Sequence, residues 1–413
     1  FTIFNEQSMH NINSPTWVFP EDIIAPYRDG TKQSTDWYGE VMPDSAPQQY
    51  PNLSVNGTAG KKMDYFVNLG YTEQGGFWKS NSLKYKRYNL RSNLNAQITD
   101  RLTASLRLNA ILDQKDSPYR DSWEIFKNLW RSHPDDPYYA NNDPKYLYHN
   151  LADYHPGAIA DDLVSGFKKR NSKTFMSTFS LEYKVPYIDG LVAKGMFSYD
   201  ATINDNTNYQ KEFSVYEYNE AGDIYVPYKY QIPNTLNRSY AVLPGTLMQF
   251  SLNYNRTFAR LHNMSVLALY EESEGTGDSF FAQRELTIPL PYLFAGNSAN
   301  QIGNNNTGSV FKNANRGLVG KVHYDFNSKY LLDFSFRYDG SSRFPPGKQW
   351  GFFPAVSAGW RISEEAFMKG NQSLAFIDNL KIRGSYGEMG DDGASSFQFI
   401  SGYDYPASGG NSQ

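Results

Sequence analysis

Cysteine is absent from the 413 residues. That excludes a disulfide framework and any thiol chemistry. Neither sign of charge is in surplus: 39 Lys and Arg face 43 Asp and Glu, for a net −4. So even a balance does not point to nucleic acid as a partner. No run of 18 apolar residues occurs, so no transmembrane helix is encoded. Chemical motifs are missing as well. There is no His-Glu-x-x-His and no phosphate-cradling P-loop. Neither Ser341 nor Ser342 sits in a Gly-x-Ser-x-Gly elbow. These absences point to no catalytic residue, no cofactor and no enzyme.

What the chain has is aromatic rings, 32 Tyr and 27 Phe among them, in a sequence whose mean hydropathy is only −0.61. The rings fall in alternating runs. In KYKRYNLRSNLNAQI, Tyr88, Leu90, Ser92, Leu94, Ala96 and Ile98 share one face, and Asn89, Arg91, Asn93, Asn95 and Gln97 the other. After the turn Thr99-Asp100-Arg101, LTASLRLNAIL alternates again. This is the period of strands joined as a hairpin. About twelve such runs are expected, roughly 51–58, 62–72, 84–98, 102–112, 172–185, 190–201, 246–258, 262–271, 316–326, 329–339, 350–362 and 379–387.

The connections alternate in length. AGKK, TDR, PYIDG, ARLHN and NSK are short, and SEEAFMKGNQSLAFIDN holds about one helical turn. The segments 73–83, 113–171, 202–245, 272–315 and 340–349 read as long loops. Short turns on one side and long loops on the other mark an outer-membrane barrel with periplasmic turns and extracellular loops. Aromatics flank both ends of the strands. Tyr65, Tyr183, Tyr254, Phe258, Tyr324, Phe326, Tyr330 and Trp360 lie near the short turns; Tyr71, Tyr88, Tyr199, Tyr270, Tyr338, Phe352 and Tyr386 lie near the long loops. Two girdles around an aliphatic band suit a bilayer, because Tyr and Trp are apolar at one end and wet at the other. The oily rows then face lipid, and Lys194, Asp200, Lys321, Asp333, Arg337, Arg361, Lys381 and Arg383 line the lumen. The expected fold is all-β, a transmembrane antiparallel β-barrel. A soluble sandwich satisfies the same alternation with inside and outside exchanged.

The stretches YLLDFSFRYDGSSRF, WGFFPAVSAGWRISEEAFM and IDNLKIRGSYGEMG resemble the SusC/RagA-like TonB-dependent outer-membrane transporters. TDWYGEVMPDSAPQQYPNLSVNGTAGKKMDYF and YKRYNLRSNLNAQITDRL are similar to the same family, so the likeness is spread from Asp36 to Gly390. It implies a barrel of about 22 strands around a plug, of which the twelve runs here are a part. Residues 1–413 are then expected to be a partial barrel domain, with the plug, the TonB box and the closing C-terminal strands outside it. Where the family usually shows Asn after SYGEMG, this chain has Asp391-Asp392. The resemblance also implies a SusD-like surface lipoprotein as lid, TonB acting through the plug, and oligosaccharide or oligopeptide cargo. It implies residence in the outer membrane of a Gram-negative bacterium, in contact with its lipid, and a possible dimer of transporter–lipoprotein pairs. A passive porin, or a soluble carbohydrate-binding or hydrolytic β-protein, is the alternative.

Within this frame the loop 113–171 is the candidate ligand site. Tyr119, Arg120, Trp123, Trp130, Arg131, Tyr138 and Tyr139 offer flat rings and hydrogen-bonding groups suited to sugars or peptides. SWEIFKNLWRS reads as a short amphipathic helix with Ser122 as cap, whose Trp123, Phe126, Leu129 and Trp130 equally suit anchoring the loop. His149 and His155, near Asp153, fit no zinc spacing and read as loop surface. Asp135-Asp136 with Asp143, and Glu271-Glu272 with Glu274 and Asp278, read as solvated charge rather than calcium ligands. The DGSSRF stretch reads as the turn at the outer rim, closed by Pro345-Pro346-Gly347.

Overall fold

The computed structural model describes residues 21–149, 153–305, 310–370, 374 and 376–393; His10 and the C-terminal GGNSQ lie outside them. The strands are β1 (Gln48–Gln49), β2 (Asn52–Ala59), β3 (Met63–Gly75), β4 (Lys84–Gln97), β5 (Leu102–Pro118), β6 (Gly166–Lys184), β7 (Leu191–Gln210), β8 (Phe213–Asn219), β9 (Ile224–Tyr230), β10 (Asn234–Phe258), β11 (His262–Leu286), β12 (Ile302–Asn305), β13 (Phe311–Phe326), β14 (Tyr330–Ser341), β15 (Trp350–Arg361) and β16 (Lys381–Gly387). Fourteen of them form one antiparallel sheet in the order β1-β3-β4-β5-β6-β7-β10-β11-β13-β14-β15-β16, with β2 on β3 and β12 on β11. β8 and β9 form a separate hairpin.

Every expected run is a strand, but several strands continue past the expected ends. β7 runs to Gln210, β10 begins at Asn234, β11 runs to Leu286, and β5 and β6 extend to Pro118 and from Gly166. The loops read as 113–171 and 202–245 are therefore 119–165 and 211–233, and much of 272–315 is strand. The reason is solvation. Once a strand rises above the lipid, both faces meet water, and a stretch such as TINDNTNYQ (202–210) pairs fully with β6 and β10 while losing its alternation. The rim is corrected in the same way: Asp339, Gly340 and Ser341 pair with β13 and β15 or their connections, so the turn is confined to 342–349, with Gly347 at φ +82.

The register gathers the oily residues onto one face. One rung runs Leu53, Leu69, Leu90, Ala110, Phe175, Ala201 across neighbouring strands. Another runs Val266, Val322, Phe334, Val356. Among the described residues nothing forms a second layer over these side chains: Leu53 is 64% exposed and Leu69 51%. A soluble monomer rarely leaves more than a few hundred Å² of apolar surface uncovered; among the described residues the outward sheet face is bare, as a lipid-facing wall must be. Both girdles form across strands. Tyr71 and Tyr88 are paired with rings 4.9 Å apart, and Tyr270, Leu318, Tyr338 and Phe352 share a rung. At the other edge Phe326, Tyr330 and Trp360 share one. There Tyr330 Oη and Trp360 Nε1 donate to Glu365 Oε1 at 2.7 and 3.2 Å, and Lys329 Nζ meets Oε2 at 3.0 Å. These hydrogen bonds hold the Glu365 carboxyl down to about 2.

The short turns are tight. Ala259-Arg260 and Asn327-Ser328 both have positive φ, the two-residue geometry whose twist matches that of the strands it joins. The connection after β15 holds a 3-10 turn and one short helix, α6 (Ala366–Lys369), as the sequence suggested.

The buried core lies not in the wall but above it, on the long-loop side. Among the described residues five other helices stand there: α1 (Glu21–Arg28), α2 (Trp37–Val41), α3 (Ser122–Arg131), α4 (Pro156–Ile159) and α5 (Asp162–Ser165). Trp37 and Val41, Trp78 from the β3–β4 connection, Ile125 and Leu129 of α3, Ala158 to Ala160, and Phe213 and Val215 of β8 pack into one cluster. This cap rejoins the wall at Gly166, whose φ is +93 and where an added Cβ would collide with the Tyr209 carbonyl. Only glycine takes that conformation without strain. Gly166→Ala is expected to destabilise the cap by at least about 1 kcal/mol, read as faster amide exchange in 119–165 with the membrane strands unchanged.

Candidate functional site

The candidate loop is built around α3. Asp121 occupies the N-cap position, not Ser122, and its carboxylate is turned away to Lys168 Nζ at 2.8 Å. Ile125, Asn128 and Leu129 lie buried on one side of the helix. Asn128 Nδ2 donates to the Glu124 carbonyl, and its Oδ1 accepts from the Tyr154 N–H, both at 2.9 Å. The helix is thus fixed to the loop that follows it.

The opposite side of α3 is open. Trp123 and Trp130 are each 68% exposed and meet edge to face at 6.0 Å. Beside them Lys127 Nζ and Arg131 Nη1 both reach Asp153 Oδ2, at 2.6 and 2.7 Å. Anchoring is therefore the work of Phe126 and Leu129, not of the two tryptophans. Arg120 ties several segments together. It donates to Gln231 Oε1 at 3.0 Å, to Glu124 at 3.3 Å and to Tyr154 Oη at 2.7 Å, and its guanidinium lies 4.3 Å from the Tyr154 ring centroid. Tyr119 sits between Arg120 and Lys168. Tyr138 packs on Trp37 and His155, and burial pushes its phenol upward. Tyr139 stands edge-on against Tyr138 at 4.8 Å. Of the seven residues, Trp123, Trp130 and Arg131 share an exposed surface; Arg120 and Tyr138 are held by their neighbours behind it.

His155 is not loop surface. It is 1% exposed, inside the cap. Nε2 donates to the Tyr138 carbonyl at 3.0 Å and Nδ1 accepts from the Ala158 N–H at 3.2 Å, which defines a neutral ring. Burial lowers its pKa from 6.5 to about 4. The unfolded cap takes up a proton near 6.5 and the folded cap does not until about 4, so stability present above 6.5 is lost as pH falls through that window. The difference is on the order of 3 kcal/mol. The protection of amides in 119–165, taken relative to their intrinsic exchange rates, is expected to fall between pH 6.5 and 4, and His155→Gln is expected to flatten that slope.

A second aromatic group escaped the sequence reading. Tyr146 stacks on Tyr225 at 3.8 Å, and His149 on Tyr228 at 3.9 Å. His149 also meets Glu217 Oε1 at 3.0 Å and Tyr230 Oη at 3.1 Å. Hydrogen bonds from His149 and Tyr228 lower the Glu217 pKa. Glu217, Tyr225, Tyr228 and Tyr230 come from the β8–β9 hairpin, on which Tyr146 and His149 of the preceding loop pack, and the signal was present: YEYNEAGDIYVPYKY alternates tyrosines on both sides of an Asn-to-Asp turn.

Below the cap the inward face is polar. Arg337 donates to Glu271 Oε1 at 2.6 Å and to Asp339 Oδ2 at 2.8 Å. His323 meets Asp333 at 2.7 Å. Near the rim, Ser341 Oγ donates to Asp392 Oδ2 and Arg343 Nη1 to the Asp392 carbonyl. Around them lies a pocket of about 520 Å³ that also includes Lys348, Phe344 and Phe353. The acidic runs do not converge. Glu271 points inward to Arg337, while Glu272 and Glu274 point outward to Arg316 and Lys312. Asp143 accepts from its own turn at Lys145.

A bare apolar face between two aromatic girdles, a charged inner face, and turns and loops sorted by side define the wall of an outer-membrane β-barrel. The family model described as TonB dependent receptor-like, beta-barrel, matches residues 130–412, and the chain belongs to that family. It is therefore part of a receptor barrel, not an enzyme. It is 28% identical over 364 residues to TonB-dependent receptor P39 of Formosa agariphila, covering 85% of this chain and 31% of that protein. It is 23% identical over 389 residues to TonB-dependent receptor SusC of Bacteroides thetaiotaomicron, covering 87% of this chain and 36% of that protein. Among solved structures it resembles the RagAB peptide importer in its open-open state, with TM-score 0.67 at 19% identity over 86% of this chain and 37% of that one. That likeness is one of fold. The chain spans about a third of the length of these relatives.

Proposed function

We propose that residues 1–413 form part of the barrel wall and outer loops of a SusC/RagA-like importer. It would bring large nutrients, oligosaccharides or oligopeptides, across the outer membrane of a Gram-negative bacterium. The observation that carries this reading is the rigid cap. A passive pore needs only a wall, whereas here five separate stretches of chain form a hydrophobic core on the outer side and hold an open aromatic surface, Trp123 and Trp130, beside Arg131. Tyr119, Arg120, Tyr138 and Tyr139 lie in the same loop and belong to the proposed ligand site with them. Exposed rings next to paired charges suit sugar faces and peptide side chains alike. A SusD-like lipoprotein over the loops, TonB acting through a plug, and pairing of two such complexes belong to the same reading, supported by the similarity to SusC and the RagAB fold.

The test is uptake of labelled glycans and peptides by cells carrying or lacking the full gene. Import that disappears on deletion and on adding a protonophore is expected. Import that survives the protonophore is the behaviour of a passive porin and would reject the coupled reading.

A further inference from the structure

On the lipid-facing side, across β3 to β7, the wall holds a groove of about 700 Å³. Its floor is made of short side chains, Ala110 and Ala201, and Leu90 and Phe175 rise beside them on the same rung. Lys173 lines the groove one rung higher, between Leu112 and Ile203 and level with the outer-girdle pair Tyr71 and Tyr88. An ammonium at this height stands at the boundary between hydrocarbon and water, its stem along the groove and its head at the headgroups.

Other outward cations near this level have partners. Lys86 meets Glu73 at 3.5 Å, Arg238 meets Asp205 at 2.9 Å, and Arg316 meets Glu272 at 3.1 Å. Among the described residues, Lys173 meets no carboxylate. One rung above it, Gln114 and Asn171 face each other on the same side of the sheet and add neutral amides. From bottom to top the arrangement is an apolar channel, a single uncompensated cation, then hydrogen-bonding amides. The apolar channel suits an acyl chain, and the ammonium and amides, one rung apart, suit a phosphate and the acylated sugar that carries it.

We propose that this groove is a site for a phosphorylated glycolipid of the outer leaflet, lipid A. One acyl chain lies over Ala110 and Ala201, Lys173 holds the phosphate, and Gln114 and Asn171 receive the sugar. A charge-assisted contact to phosphate is stronger than a neutral one, and the long-loop side places the site in the leaflet where glycolipid resides. The proposal rests on the orientation of the barrel in the membrane and not on the identity of the cargo.

The test uses the full-length protein in detergent, with monophosphorylated lipid A added and bound lipid counted by native mass spectrometry. Lys173→Gln and, separately, Ala201→Phe are each expected to reduce the lipid A adduct at least fivefold, while Lys173→Arg retains it. Heat-modifiable gel mobility checks that each variant is folded. Dephosphorylated lipid A is expected to bind the wild type as weakly as phosphorylated lipid A binds Lys173→Gln. Equal adducts on wild type and both variants would overturn the site. So would equal binding of phosphatidylglycerol, which would reduce the groove to ordinary lipid contact.

Discussion

Val322→Arg will destabilise the folded barrel by about 2–4 kcal/mol, the cost of a cation near the bilayer midplane. Val322 lies in a rung with Val266, Phe334 and Val356, midway between the girdles on the face that has no second layer over it. Its neighbour Lys321 points to the other face, where Ser335 stands opposite. Lys321→Ala should change stability by less than about 0.5 kcal/mol, as substitutions at solvated positions do. The measurement is denaturant unfolding of the full-length protein in phospholipid vesicles, followed by the heat-modifiable band. If the two substitutions exchange their effects, the apolar rows face a sealed interior and the membrane assignment fails.

Leu129→Ala will open the cap without opening the barrel. Leu129 is 2% exposed and Ile125 fully buried, in a cluster with side chains from four other chain segments. Removing a buried leucine side chain costs about 2–5 kcal/mol, through lost transfer energy and the cavity left behind. The cap shares few contacts with the strands inside the bilayer, so the loss should be local, in the manner of a cooperative unit that unfolds by itself. Amides of 122–131 and 153–165 should exchange at least tenfold faster, with those of β13 to β15 unchanged. Equal acceleration in both regions would show that cap and wall fold as one unit. Trp130→Ala, on the open side of the same helix, should leave exchange unaltered, which separates the helix's packing side from its presenting side.

What could be read in the sequence followed the solvent. Inside the bilayer one side of each strand meets hydrocarbon and the other water, so Leu90, Leu94 and Leu106 alternate with Asn89, Asn93 and Arg107, and the wall is visible. Above the bilayer that contrast ends. Asn204, Asp205 and Asn206 are strand residues as firmly paired as Phe197, yet nothing in their pattern says so. The cap was legible in composition only. A run containing Trp123, Phe126, Leu129 and Trp130 announces a helix, but which two of these side chains are covered depends on Trp37, Trp78 and Phe213, brought from distant parts of the chain. His155 escaped for the same reason: its burial is created by Trp37 and Tyr138, not by its neighbours in sequence.

β10 and β11 set how far the wall stands above the membrane. Each has 25 residues, about 80 Å of extended chain at roughly 3.3 Å per residue. Tilted by about 40°, such a ribbon stands about 60 Å tall, and the oily belt takes up only about 25 Å of that. Some 30 Å of wall therefore rises as a parapet over the cell surface. The open tryptophans of α3 stand at the top of that tower, well clear of the headgroups below.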